Sequence, residues 1–264
     1  MYGYGYSPFS RVVSSSGGTP VDPDAQAFIT AAAITNPTQQ SAINQLVTDL
    51  KGYGIWTKMK ALYPFVGGTA SSHKFNLKNP LDTDAAFRLV FNGGWTHSAN
   101  GALPNGTNGY ADTKIGLNTL LRDSNSTGIY SRTDLSSGAD YGVFNTGGNG
   151  ALQLNSKDTG FWYIRNASTT LNSVLNTDSR GFFQMTRRNS SSYVVSKNTS
   201  KSTINTSSTD TIPWNNTATI PIGALSYGSI IAYSARQYAF MYVGNISLND
   251  IELDNLYALV NFLY

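Results

Sequence analysis

The residues best able to carry acid–base or metal chemistry are few in this sequence. It has a single glutamate, Glu252, two histidines, His73 and His97, and no cysteine. Glycoside hydrolysis needs two positioned carboxyl groups, and the best pair, Asp82 and Asp84 in DTDAAFR, stands in a polar turn before a strand. Neither histidine has a second histidine or a carboxylate at ligand spacing, and no nucleophile elbow, P-loop or dinucleotide motif occurs. We therefore predict no catalytic residue, no cofactor and no metal.

Aspartates near predicted turns are the candidates for a calcium site: Asp112, Asp123, Asp134, Asp140 and Asp158. Loops bind Ca²⁺ through carboxylate and carbonyl oxygens, but no D-x-D-x-D-G pattern is present. Aspartate in a turn usually caps nearby backbone N–H groups. We predict capping roles, with calcium binding as the alternative.

Carbohydrate binding has a better chemical basis. Aromatic faces stack on the C–H surfaces of sugars, and amide or backbone groups bond their hydroxyls, while large aromatics in β-sandwiches also fill cores. The candidate glycan contacts are Trp95, His97, Asn108 and Tyr110 in one loop-rich region, with Trp162 and Trp214 elsewhere. In GFWYIRN, alternation puts Phe161, Tyr163 and Arg165 on one strand face and Trp162 on the other. One of these faces is therefore expected to be exposed or at an interface.

Composition argues against two classes of partner. Only 12% of the residues are charged and the net charge is +3, whereas roughly 25% are charged in an ordinary domain. Nucleic-acid binders gather positive charge on one face, and here the charge is scattered, so we predict no nucleic-acid partner. No stretch approaches the roughly 20 apolar residues of a membrane span. The N-terminus lacks the basic-then-apolar pattern of a secretion signal.

Helix signals lie at both ends of the chain. Asp22 before Pro23 and Asn36 before Pro37 are capping arrangements. The second helix carries an apolar stripe, and Gly52 suits a left-handed stop. A third helix is predicted from about Ile55 to Leu62, ending before proline. A capping box from Ser247 and Asp250 predicts a C-terminal helix.

Short alternating runs separated by Gly, Asn and Ser fill the rest. They predict an antiparallel β-sandwich or jelly roll. The runs cover 73–77, 86–91, 109–115, 128–132, 141–144, 151–155, 161–166, 182–188, 193–197, 217–225, 229–234 and 237–244. We predict a single domain over 22–264, with a helical segment (22–66), a sandwich (67–246) and a C-terminal helix (247–264).

The first 21 residues have a separate composition. They begin MYGYGYSPF, and four aromatics stand close together: Tyr2, Tyr4, Tyr6 and Phe9. Tyrosines offer a large contact area at low entropic cost, so we predict an anchoring arm for assembly. The alternative is a disordered terminus.

Two stretches carry a resemblance. RQYAFMYVGNISLNDIELDNLYALVNFLY (236–264) resembles the end of concanavalin A-like, laminin-G-type jelly rolls. The run ITNPTQQSAINQLVTDLKGYGIWTKMKALYPFVGG, followed by FNLKNP and NGTNGYADT, resembles bacteriophage and prophage structural proteins with that domain. Together they cover most of 22–115 and 217–264. Enzymes on this fold commonly place two glutamates on one strand, and this chain has only Glu252.

The resemblance implies a virion structural protein, in the tail, in a fibre or on the capsid, that presents a lectin-like domain for adhesion to host or mucosal glycans. Its expected partners are other virion proteins and, because particle sites are symmetric, further copies of itself. Its expected location is the virion. The alternative is a secreted or cell-surface carbohydrate-binding module without catalysis. A glycan-cleaving enzyme is the third hypothesis.

Overall fold

The computed structural model of the protein describes residues 20–144, 151–210 and 217–263. The predicted arm residues Tyr2, Tyr4, Tyr6 and Phe9, and Trp214, lie outside them. The described helices are α1 (Pro23–Ala31), α2 (Pro37–Gly52), α3 (Ala70–His73) and α4 (Asp250–Leu263). None of these helices is long and apolar enough to cross a membrane.

The first two helices begin where the sequence predicted. The Asp22 carboxylate accepts a hydrogen bond from the backbone N of Asp24, and the Asn36 amide oxygen accepts from Thr38 and Gln39. The end of α2 differs from the prediction, because the left-handed residue is Gly54, not Gly52. The backbone N–H groups of Tyr53 and Ile55 donate to the carbonyl oxygens of Asp49 and Leu50, so the helical turn ends two residues later than predicted.

Seventeen strands in the described ranges form two sheets. They are β1 (Met59–Pro64), β2 (Val90–Asn92), β3 (Trp95–Ser98), β4 (Gly101–Pro104), β5 (Tyr110–Gly116), β6 (Asn125–Ser131), β7 (Tyr141–Phe144), β8 (Ala151–Asp158), β9 (Phe161–Asn166), β10 (Asn172–Leu175), β11 (Gly181–Arg187), β12 (Tyr193–Lys197), β13 (Ser200–Ile204), β14 (Thr219–Ile222), β15 (Leu225–Tyr227), β16 (Ser229–Ile231) and β17 (Tyr238–Gly244). The predicted antiparallel β-sandwich is confirmed.

The order of the strands explains which residues become core. The eight-stranded sheet runs β13-β12-β11-β6-β17-β4-β3, with β1 also on β17, and the nine-stranded sheet runs β10-β9-β8-β7-β14-β5-β2, with the β15–β16 hairpin beside β7. Every residue of β17 is buried. One core lies between the sheets, and a second lies between the eight-stranded sheet and helices α1, α2 and α4. The helices therefore cover the outer face of the eight-stranded sheet.

The prediction of a third helix from about Ile55 to Leu62 is wrong. After a 3₁₀ turn at Trp56–Lys58, the chain enters β1, which pairs antiparallel with β17. Ala61 and Tyr63 point into the core between the sheets, while Leu62 points into the core beneath the helices. A strand buried on both faces is a continuous apolar run, which periodicity alone does not distinguish from a buried helix.

The C-terminal helix begins with a different capping box from the predicted one. The Asn249 amide accepts from Glu252 N at 2.9 Å, and the Glu252 carboxylate accepts from Asn249 N at 2.8 Å. The backbone N of Ser247 instead donates to the Ser124 hydroxyl. The helix consequently starts at Asp250, three residues after the predicted cap.

The strand predicted over 73–77 is replaced by a turn. Asn76 fixes this turn, because its amide oxygen accepts from the backbone N of Leu62 and of Lys78 and its Nδ2 donates to Ala86 O. His73 ends helix α3 instead. The Asn76 side chain bonds three backbone groups and so replaces the hydrogen bonds that a neighbouring strand would make.

Candidate functional site

The region from Trp95 to Tyr110, predicted to be loop-rich, contains strands β3 and β4, and its remaining loop is built around one asparagine. The Asn105 amide oxygen accepts from three backbone N–H groups, those of Thr107, Asn108 and Gly109, at 3.0–3.1 Å. Its Nδ2 donates to Asn108 Oδ1 at 2.8 Å, and Gly94 N donates to the same oxygen at 3.0 Å. Asn108, a predicted glycan contact, thus fastens the β4–β5 loop to the β2–β3 turn.

A glycine makes that turn possible. Gly93 has φ +67°, and a Cβ there would lie 2.1 Å from Asn108 O. The backbone conformation and the close approach both exclude a side chain. The turn and the β4–β5 loop are therefore held in close contact.

Trp95 and His97 lie side by side on β3, at the edge of the sandwich. Their rings are stacked at 6.1 Å, and Phe91 meets both edge-on. Trp95 Nε1 donates to Asn92 O at 3.1 Å, and its ring packs against the core between the sheets. These half-buried rings cover the edge of the core, so most of their surface contacts other residues of the protein.

His97 also meets His73, the other histidine of the chain. Their Nδ1 atoms are 2.9 Å apart, so one ring donates and the other accepts. Burial, with His97 nearby, lowers the pKa of His73 to about 3. Burial also lowers the pKa of His97. The pair is therefore neutral at pH 7 and serves as a buried structural contact.

The other two predicted glycan contacts within the described ranges, Trp162 and Tyr110, lie apart from Trp95 and His97. Trp162 is only 3% exposed and packs edge-on against Phe183 in the core, so its ring is not available to a sugar. Its placement corrects the prediction and follows from the alternation of β9. Tyr110 points away from the core, because its neighbour Ala111 faces inward. It lies on the outer face of the nine-stranded sheet.

That outer face also carries a continuous row of side chains, which we call the sheet-face row: Phe161, Tyr163, Arg165, Phe144 and Tyr227. The first three alternate along β9, and their span is about 13 Å at the usual strand rise. The rings of Phe161 and Tyr163 are 6.2 Å apart, the Arg165 guanidinium lies 4.0 Å from the centre of the Phe144 ring, and Phe144 stacks on Tyr227 at 5.2 Å.

The row combines exposed rings with fixed polar groups. Phe161 is 40% exposed and Tyr227 43% exposed. Arg165 stands opposite Gln153 in the β8–β9 register, donates from Nη1 to the Gln153 amide oxygen, and donates from Nε to Thr169 O at 3.2 Å. Partial burial lowers the pKa of Arg165, which stays a cation because guanidinium is so weakly acidic.

Alternation in the sequence predicted only the β9 part of this row. Phe144 and Tyr227 come from β7 and β15, which meet through a parallel bridge between Val143 and Ser226. Nothing local in YGVF or LSYG shows that the two rings stack. Only strand order could have identified them.

The described carboxylates that were candidates for catalysis are bound to cations. Glu252 is buried against Lys58 at 2.6 Å while it caps α4. Asp82 binds Lys74 and Arg88, and the bond from Lys74 is the main cause that lowers the Asp82 pKa. A general acid needs a raised pKa. These contacts give no support to catalysis.

Four of the five turn aspartates considered for calcium also have cationic partners. Asp112 binds Lys114, Asp123 binds Arg122, Asp134 binds Lys157 and Asp140 binds Arg236. Within the described ranges, no group of three potential metal-ligating side chains comes together.

Comparison with known proteins identifies the architecture. No family model and no curated protein matches this sequence. Trypanosoma rangeli sialidase in complex with sialic acid matches with a TM-score of 0.53 and 10% identity, over 77% of this chain and 33% of the sialidase. The binding domain of botulinum neurotoxin DC, in complex with rat synaptotagmin II, matches with a TM-score of 0.51 and 11% identity, over 80% of this chain and 53% of that chain.

These matches concern the fold. This chain spans about a third of the length of the sialidase and about half that of the toxin fragment. At 10–11% identity no residue role carries over. The shared feature is a β-sandwich, found here with helices on one outer face.

Proposed function

We propose that this protein is a non-catalytic, lectin-like domain that binds glycans on the outer face of its nine-stranded sheet. The observation that carries the proposal is the sheet-face row, in which exposed rings lie next to immobilised amide and guanidinium groups. Contiguous exposed apolar surface with a polar surround is typical of binding sites. Rings suit the C–H faces of sugars, and the polar groups suit their hydroxyls.

The position of the helices supports this choice of surface. They occupy the outer face of the opposite sheet, where their apolar residues pack on Phe182, Phe240 and Tyr242. The matched structures lend support at the level of the fold, because one holds sialic acid and the other is a binding domain. Trp95, His97 and Asn108 contribute the rigid edge beside this face, and Tyr110 lies on the face itself.

A glycan array followed by calorimetry tests the proposal. Tyr227→Ala and Phe161→Ala are expected to weaken binding, each by about 2- to 12-fold, if a ring–sugar contact resembles a ring–ring contact of about 0.5–1.5 kcal/mol. Tyr53→Ala is the matched control, since Tyr53 is 50% exposed and lies after α2. Unchanged affinity in both row variants would refute this site.

A reducing-end assay on the same glycans tests the absence of catalysis. The expected result is binding without release of new reducing ends. Sustained release that scales with protein concentration would support the glycan-cleaving hypothesis instead.

We propose further that the helical side attaches the domain to a virion. Helix α4 exposes two large apolar side chains, Ile251 at 71% and Phe262 at 68%. These residues are eleven positions apart, about three turns, and so lie on one side of the helix. Phe262 and Leu263 also line a cleft of about 660 Å³ with Pro37 and Ala42 of α2. The sheet-face row would then point outward.

Incorporation into phage particles tests this attachment. The Ile251→Ser/Phe262→Ser variant is expected to fold and bind glycan normally but to be lost from purified particles, whereas Tyr53→Ser is retained. Deletion of residues 1–18 separately tests the arm. A wild-type chain absent from particles would favour the secreted or cell-surface module, and size measurement by light scattering tests the expected homo-oligomer.

A further inference from the structure

We infer that the glycan bound by the sheet-face row is acidic, and that Arg165 binds its carboxylate. This inference rests on the glycan-binding function proposed above and adds the chemical class of the ligand. The sugar would be a sialic or uronic acid, because both present a planar carboxylate on a ring.

The first observation is the charge balance of Arg165. Five other arginines have an aspartate partner within 3.1 Å: Arg88, Arg122, Arg180, Arg188 and Arg236. Arg187 is fully buried and donates to backbone carbonyls. Arg165 is half-buried on a sheet face, and no carboxylate among the described residues forms an ion pair with it. Its positive charge is therefore available to a ligand.

The second observation is that its guanidinium is held in place. The Gln153 amide oxygen accepts from Nη1 and the Thr169 carbonyl oxygen accepts from Nε. The guanidinium carbon also lies 4.0 Å from the centre of the Phe144 ring. A guanidinium has five N–H donors. Among the described residues only these two bonds engage them, which leaves three, including both on Nη2. Fixed orientation lowers the entropic cost of binding. The partners that hold the side chain are neutral, so they orient the charge without cancelling it.

The third observation is the surroundings of those donors. Tyr163 precedes Arg165 by two residues on the same face, and the stacked Phe144–Tyr227 pair lies on the other side. A ring-shaped ligand can rest on an aromatic face while its carboxylate meets Nη1 and Nη2 side by side. Arginine suits such paired recognition better than lysine.

The test compares each acid with its own methyl ester. Calorimetry would use the full chain with sialyllactose, an oligogalacturonate and their methyl esters, which separates the two sources of carboxylate. Wild-type protein is expected to bind at least one free acid about 10- to 100-fold more tightly than its ester. Arg165→Gln should lower the affinity for that acid to the ester's value, and Arg165→Lys should restore it only in part.

A structural role for Arg165 predicts a different outcome. Arg165→Gln would then weaken acid and ester equally, and the inference would fail while glycan binding stands. Equal affinity of wild-type protein for acids and esters would also overturn it. If neither acid nor ester binds, the proposed function fails as well for these sugars. Should Arg165→Gln not fold, the salt dependence of wild-type binding decides: only the free acid should bind more weakly as salt rises.

Discussion

Acidification should destabilise this protein through its buried histidine pair. His73 is 1% exposed, its Nδ1 lies 2.9 Å from that of His97, and its Nε2 has no hydrogen-bond partner among the described residues. Two facing ring nitrogens share a hydrogen bond only if one keeps its lone pair, so protonation of the accepting nitrogen sets N–H against N–H. Protonation of His73 Nε2 instead would leave a buried N–H without a partner among the described residues. The folded state therefore favours neutral His73.

The size of the effect follows from the pKa of His73. It is about 3 in the folded protein, against 6.5 for an unperturbed histidine. Between these values the unfolded chain binds more protons, so the free energy of unfolding falls as the pH falls. With about 1.4 kcal/mol for each unit, the loss from this group between pH 7 and pH 4 is about 3 kcal/mol. That is a large part of the roughly 5–15 kcal/mol that stabilises a typical domain.

Urea denaturation at pH 7, 5.5 and 4 measures this loss. Carboxylates with lowered pKa values, such as Asp178 at about 2, also contribute to acid destabilisation, so the wild type is compared with His73→Phe. The wild type should lose more stability than His73→Phe as the pH falls, because phenylalanine removes the titrating group while keeping a ring against Phe65. The difference in their pH dependence should be about 3 kcal/mol.

Two results would refute this reasoning. Parallel curves for wild type and His73→Phe would mean that His73 titrates normally in the folded state. The chain has only two histidines, so NMR can follow each ring directly, and a titration of His73 near pH 6 would exclude the buried neutral pair.

Three further substitutions test the fold. Asn36→Ala removes the cap of α2 and should cost about 1 kcal/mol in urea denaturation; no loss would mean that solvent replaces the cap. Asp140→Ala leaves the buried guanidinium of Arg236 without its 3.0 Å partner and should cost about 3–5 kcal/mol, and a smaller loss would show that water reaches it. Gly101→Ala places a Cβ 2.1 Å from Tyr238 O at φ +120°, so little soluble protein is expected, and a wild-type Tm would contradict the strand packing described.

The local signals of the sequence predicted helices well where caps were decisive. Asp22 and Asn36 begin helices because their side chains reach backbone groups two or three residues away, which requires no tertiary contact. The C-terminal cap was misplaced, since Ser247, Asn249 and Asp250 are all capable residues. Asn249 is the cap in the structure. Its partner Glu252, three residues later, is held in place because it also binds Lys58.

Strand prediction succeeded for some strands and missed others, including β3 and β4 in the region predicted to be loop-rich. The runs at 141–144, 161–166 and 193–197 match β7, β9 and β12. Polar edge strands such as β13, whose residues are exposed or half-buried, give no alternating apolar signal. β1 was missed for the opposite reason, because it is buried on both faces.

The sequence of β9 is enough to assign its two faces, since alternation in a strand follows from backbone geometry alone. It therefore separated Trp162 from Phe161, Tyr163 and Arg165 without reference to the neighbouring strands. The covering of the other sheet by helices, and the extension of the row by Phe144 and Tyr227, depend on long-range packing. Those contacts join residues from three strands far apart in the chain, and strand order, which depends on the packing of the whole core, brings them together.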